Sequence, residues 1–244
     1  MNKILVSKEE IKGIDVTNNE IILNDGEYSL EYIDSCNYNI SFIINGNVKL
    51  IESSFDKELD INNRYIINDG CLSVIKFYNN KSVNETINID LCNINSKIDY
   101  CFSNICRGVE KYIININHKV KNTVSNINNK SVALVNSKID FIINSNVYKE
   151  CNGSILDQNT RIVTMGECDT SISPNMFVDL DDIDARHGSV IGTFKDDQVF
   201  YLMSKGISYN DTLKLLIKGY LLSKLDIDVD LRFKIIDIID TYWR

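Results

Sequence analysis

From Gly13 to Phe194 the chain contains no run with a helical period, and its apolar residues instead alternate with polar ones in short stretches. "EYSLEYI", "NISFII", "VKLIESSF", "CLSVIKFY", "TINIDL", "KYIININH", "SKIDFII", "TRIVTM" and "NMFVDL" all read this way. Turn-like "ING", "NDG", "YNN" and "INNKS" separate them. A period of two places one set of side chains on a core face and the other on a wetter face, which is the pattern of a β-strand. Many short strands joined by tight polar turns make a sandwich, a barrel or a β-solenoid. Asn-rich turns and the lack of strong hairpin pairs favour the solenoid, but no strict hexapeptide repeat is present. Periodicity leaves an irregular parallel β-helix and a sandwich both open. The single proline, Pro174, falls late and forbids neither.

Beyond Thr193 the texture changes. "KDDQVFYLMSKG" opens on acids and ends on Lys205-Gly206, a helix with a glycine stop. "ISYNDTLKLLIKGYLLSKL" opens on Ser208-x-x-Asp211, a capping pattern, and spaces Leu213, Leu216, Ile217, Tyr220 and Leu221 for one helical face. "DVDLRFKIIDIIDTYWR" repeats that spacing through Leu231, Ile235, Ile238, Ile239 and Tyr242. The expected division is a β body over 1–194 and a helical region over 195–244. Three short helices cannot hide these faces among themselves, so they lie on the body or on a partner. A cut after Thr193 is expected to leave a folded β body.

The chain of 244 residues carries a net charge of −8, which argues against nucleic acid or an anionic membrane as its partner. No apolar stretch reaches the roughly 20 residues of a membrane span. The opening "MNKILVSKEE" is too short in apolar residues for a signal peptide. Seven scattered cysteines, none in a CxxC pair, fit a reducing cytoplasm and exclude a zinc ribbon or finger. The abundance of Asn reads as compositional bias.

Residues 181–192, "DDIDARHGSVIG", hold one of two histidines. By alternation His187 shares a face with Ile183 and Ala185, while Asp182, Asp184 and Arg186 face the other way. An imidazole on an apolar face is expected to be buried, with a hydrogen-bond partner, a metal or a neighbouring chain against it. His118 shares parity with Tyr112, Ile114 and Ile116 and is expected to be a buried structural histidine. Asp179, Asp181, Asp182 and Asp184 admit a second reading, the paired carboxylates of a β-helical polysaccharide lyase or hydrolase. Asp182 and Asp184 alternate outward, however, as a solvated face does.

Four stretches in this order and spacing carry a family resemblance: "INHKVKNTVSNI" at 116–127, "GSILDQNTRIV" at 153–163, "DDIDARHGSVIGTFKDDQVFYLMSKGIS" at 181–208 and "LKLLIKGYLLSKL" at 213–225. From about Tyr112 to Leu225 the sequence resembles the SufB/SufD family, scaffold subunits of the SUF iron–sulfur cluster assembly system. The resemblance implies a mainly β protein, a right-handed parallel β-helix followed by C-terminal helices. It implies a non-enzymatic scaffold that partners a SufC-like ABC-type ATPase, the ATP belonging to that partner. It also implies dimerisation through the β-helix, as a homodimer or with a second SufB/SufD-like chain, and a transient iron–sulfur cluster at the interface.

Within the resemblance, Cys168 stands six positions before Pro174, where SufB-type members carry the cysteine that accepts sulfur and holds the nascent cluster. A thiolate is soft and nucleophilic, which suits both tasks. His187 matches the family's interface histidine and has the "HG" form of SufD-type members. SufB-type members flank it with glutamates, and here Arg186 and Gly188 stand in their place. Cys168 and His187 are expected one solenoid turn apart, within about 5 Å laterally, and together to ligate the cluster. Cys71, Cys92, Cys101, Cys106 and Cys151 are candidates for an internal sulfur relay. Phe200, Tyr201, Leu202 and Met203 crowd one short helix and are expected to dock the ATPase. The alternative within the family is a SufD-like accessory subunit that carries no cluster.

Overall fold

A computed structural model describes residues 1–243. The strands are β1 (Asn2–Val6), β2 (Ile11–Lys12), β3 (Glu20–Tyr32), β4 (Cys36–Phe55), β5 (Glu58–Asn79), β6 (Ser82–Leu91), β7 (Lys97–Cys106), β8 (Val109–His118), β9 (Val124–Ala133), β10 (Lys138–Val147), β11 (Ser154–Thr164), β12 (Asp169–Val178) and β13 (Ile183–Gly192). They wind into a β-solenoid of about seven turns. The strands pair in parallel from β3 to β13, as the family resemblance led us to expect; the small β2 pairs antiparallel with β1. One wall runs β12-β10-β8-β6 into the first halves of β5, β4 and β3. The facing wall runs β13-β11-β9-β7 into their second halves and then β1.

Alternation fills the space between the walls. In β10, Ile139, Phe141, Ile143, Ser145 and Val147 point inward and are buried. Because register is kept from turn to turn, like side chains stack. Phe141 lies on Tyr112 at 5.1 Å between ring centroids and 18° between planes, and Phe42 lies on Tyr65 at 5.1 Å and 16°. Such offset pairs add about 0.5–1.5 kcal/mol beyond burial. The corners require left-handed backbone, which Asn and Gly adopt most cheaply. Asn95, Asn122 and Gly153 occupy that conformation at successive corners, with φ of 65°, 59° and 73°. A Cβ on Gly153 would sit 2.4 Å from Asn122 Oδ1, so a side chain there would have to push Asn122 aside. Spacings of 27 and 31 residues between these corners explain why no strict repeat is visible in the sequence.

The asparagines are not only punctuation. On the outer face of the first wall, Asn88, Asn115, Asn144 and Asn175 each donate Nδ2 to Oδ1 of the asparagine one turn below, starting at Asn62, at 2.8–3.0 Å. Asn146 donates to Asn117 and Asn117 to Asp90 in a parallel ladder.

Three helices follow: α1 (Asp196–Ser204), α2 (Tyr209–Leu222) and α3 (Val229–Tyr242). Ser208 caps α2 by accepting from the Asp211 amide at 3.2 Å, and Gly206, at φ 85°, closes α1. Leu213, Ile217, Leu221, Ile235 and Ile239 pack with Ile51, Ile75, Phe77, Ile105, Val132 and Val163 on the outside of the second wall. Lys130 Nζ reaches from that wall to the carbonyls of Tyr220 and Ser223 at 3.1 Å, meeting the negative end of α2. The helices therefore cover a wall of the solenoid. A cut after Thr193 would uncover that apolar strip. No helix among the described residues is long and apolar enough to cross a membrane.

Candidate functional site

The two ends of the solenoid differ. At the first, β2 lies on β1, and Ile4 and Val6 are fully buried. At the other, β12 and β13 are each paired on one side only among the described residues. His187 lies on β13 in register with Gln158 of β11. It keeps the inward parity expected of it, because Gln158 beneath it is buried. It is nevertheless exposed, against expectation, because among the described residues no further turn stacks above it. Ile191 shows the same effect: it is 46% exposed, while its partner Ile162 one turn below is 0% exposed.

Cys168 stands at the corner leading into β12, half-buried against the lumen core. Its Sγ donates to the Gly166 carbonyl at 3.5 Å. Burial raises its thiol above the ordinary range, and the Asp169 carboxylate raises it further. The cationic neighbour that would favour a thiolate is not at hand, since Lys138 is spent on Asp169 at 2.7 Å. The register also corrects the expected pairing. The residue one turn from His187 is Gln158, not Cys168, which precedes a strand of the opposite wall. The two candidates therefore belong to the same end of the solenoid without touching. Among the described residues no three His, Cys, Asp or Glu side chains converge to hold a metal.

The other histidine is structural, as expected. His118 is fully buried, with Nδ1 2.7 Å from Thr123 Oγ1 and Nε2 2.8 Å from Ser125 Oγ. Burial pushes it down to about 4, so it is neutral. Of the candidate relay cysteines, Cys106 and Cys151 are buried, whereas Cys71, Cys92 and Cys101 are half-buried. Cys101 faces the helices on the outside of its wall. Asp179, Asp181, Asp182 and Asp184 are exposed, and Asp184 is held by Arg186 at 2.7 Å, the arrangement of a solvated face. On α1, Phe200, Tyr201 and Met203 are 68%, 63% and 40% exposed, and Leu202 is half-buried. No residue of α1 is buried. Alternation alone does not reveal the polar side chains inside the lumen, such as Glu52, Lys76, Glu85, Asn104 and Glu110. The inward parity of charged residues within otherwise apolar strands is the signal that could have found them.

A parallel β-solenoid with helices laid on one wall, and a thiol and an imidazole at its open end, defines the class. The model of the SufBD core domain of the SUF iron–sulfur cluster assembly system matches residues 64–220, more than half of the chain. The chain belongs to the SufBD core family. It is similar to the iron–sulfur cluster assembly protein SufD of Escherichia coli (strain K12), 30% identical over 69 residues, or 28% of this chain and 16% of that protein. It is also similar to an iron–sulfur cluster assembly SufBD family protein of Mycobacterium leprae (strain TN), 32% identical over 76 residues, or 30% of this chain and 19% of that protein. These matches span less than a fifth of either relative.

Proposed function

We propose that this chain is a scaffold subunit in iron–sulfur cluster assembly, building a nascent cluster where two solenoid ends meet and partnering an ABC-type ATPase. The observation that carries the reading is the open end. Two edge strands there expose Phe177, Val190 and Ile191 (59%, 54% and 46%) beside His187. Unpaired edges with apolar side chains are templates for another chain. A two-fold axis would bring two thiols and two imidazoles to one junction, donors of the kind that hold iron–sulfur clusters. Because Cys168 is held as a thiol, loading must displace its proton, so assembly strengthens as pH rises.

The test is anaerobic reconstitution with iron and sulfide, following charge-transfer absorbance. Cys168→Ala and His187→Ala are expected to lose most of the signal of the wild type. If both assemble a cluster as well as wild type does, the accessory reading replaces this one. That second reading draws on Arg186 and Gly188 in place of flanking glutamates and on the separation of Cys168 from His187 within one chain. Docking of the ATPase falls to α1. Phe200→Ser with Tyr201→Ser should abolish co-purification while leaving the buried faces of α2 and α3 in place.

A further inference from the structure

In the N-terminal half of the lumen, far along the chain from Cys168 and His187, three charged side chains are sealed together. Glu52 of β4, Lys76 of β5 and Glu85 of β6 are all 0% exposed. Lys76 Nζ lies 3.0 Å from Glu52 Oε1 and also contacts Glu85 Oε1. The ammonium sits 4.6 Å above the Tyr78 ring and 5.9 Å from that of Phe102. Tyr78 OH donates to Glu52 Oε1, and Tyr65 OH donates to Oε2 at 3.2 Å. Glu52 is therefore supplied with donors on both oxygens. Glu85 is not: its Oε2 has no hydrogen-bond partner.

One ammonium cannot balance two carboxylates. No other lysine or arginine among the described residues is within ion-pair distance of either acid. With both acids ionised the cluster would carry a net negative charge out of water, a cost of several kcal/mol even after relaxation. The remaining groups facing it are Tyr100, Tyr112 and Tyr32, whose hydroxyl accepts from Asn63; one turn on lies Glu110. None of these supplies a cation. The acid that is poorest in donors is the one that can best hold a proton.

We propose that Glu85 is a proton-held latch in the lumen, neutral when the turns built from β4, β5 and β6 are closed and loosening those turns when it ionises. Burial raises its carboxyl above the ordinary range, while Lys76 pulls the other way. The folded chain therefore binds a proton that the unfolded segment releases, and the latch weakens as pH rises. The helices rest partly on these turns, through Ile51, Ile75 and Phe77, and partly on Ile105, Val132 and Val163 further along the same wall. Among the described residues the turns of β9 to β13 have no comparable buried charge cluster, so loosening starts in the N-terminal half and reaches only the helices that rest on it.

Hydrogen–deuterium exchange on the full chain between pH 6 and 9, corrected for intrinsic rates, tests this. In a Glu110→Gln background, which removes the other raised lumen acid, the opening equilibrium of peptides within 36–91 should rise by up to about tenfold per pH unit, the limit for one proton. Peptides in β9–β11 should not follow, and adding Glu85→Gln should remove the pH dependence within 36–91. Equal pH dependence in the variant, or loosening spread evenly along the chain, overturns the proposal. If Glu85→Gln fails to fold, infrared spectroscopy of the Glu110→Gln protein decides, since wild type holds a second buried acid in Glu110. A buried protonated-carboxyl band that disappears with the same midpoint as protection within 36–91 supports the latch, and its absence at pH 6 overturns it. Neither readout involves a cluster or an ATPase.

Discussion

Glu110→Gln is the substitution whose outcome the lumen defines most sharply. Glu110 is fully buried, with Asn104 Nδ2 at 2.5 Å and Tyr112 OH at 2.8 Å both donating to Oε2, while Oε1 has no partner. Burial pushes its carboxyl up to about 8 from 4.5, overriding the two hydrogen bonds and the charge of Arg107 that pull it down. An acid raised in the folded state contributes stability that is fully present below pH 4.5 and drains away as pH climbs toward 8. From pH 4.5 to 7 is two and a half pH units; at about 1.4 kcal/mol each, the loss is on the order of 3 kcal/mol. Glutamine keeps an oxygen for both donors and cannot ionise. It also places an amide where Oε1 had no partner, a roughly constant offset of about 1–3 kcal/mol at most. Chemical denaturation of both proteins at intervals from pH 4.5 to 8 separates the two effects. The stability of the variant should gain on that of wild type by about 3 kcal/mol between pH 4.5 and 7. Parallel stability curves would show that Glu110 is not held as the neutral acid.

Two other substitutions probe the joints of the fold. Lys130→Met removes the bonds from the second wall to the Tyr220 and Ser223 carbonyls at the end of α2; thermal denaturation should show a loss of about 1–3 kcal/mol, with exchange protection falling first in α2. Asn144→Ala interrupts the amide ladder between Asn115 and Asn175, breaking two bonds; the expected cost in urea titration is about 1–2 kcal/mol, against near zero for an exposed asparagine outside a ladder.

The alternation from Gly13 to Phe194 was enough to place strands and a core face, because burial on one side imposes a period of two wherever it occurs. It was not enough to decide between a solenoid and a sandwich. Parallel and antiparallel neighbours bury alternate side chains equally well, and the turn-to-turn spacing varies around the corners at Asn95, Asn122 and Gly153. The motifs around His187 supplied that decision through the family. Reading the asparagines as compositional bias missed the ladder from Asn62 to Asn175, since a ladder depends on which residues stack and that is known only once the register is known. The parity of His187 was legible and its exposure was not: parity is a property of one strand, whereas burial depends on whether another turn follows. The expected proximity of Cys168 and His187 failed for a related reason. Nineteen residues carry the chain from one wall to the other, not around a full turn, so a short separation in sequence became a position on the opposite side.

The inequality of the two ends bears on how the proposed assembly would be held. In a solenoid each turn is stabilised mainly by its neighbours, so a terminal turn loses half of its support unless something caps it. The first turn has β2 as a cap, and its inward residues Ile4 and Val6 are sealed. The last turn leaves Ile191, Ser189 and His187 standing above Ile162, Thr160 and Gln158 without cover. Apolar side chains left at such an end gain about 25 cal/mol for each Å² that a second surface removes from water. The imidazole behaves differently, because removing it from water costs free energy unless the incoming surface offers a hydrogen-bond partner or a metal ion. Ile191 and Val190 would therefore supply affinity at this end, and His187 would make that affinity conditional on what the second surface brings. A junction with those two properties favours capture of a partner that arrives with a ligand for the imidazole over one that does not.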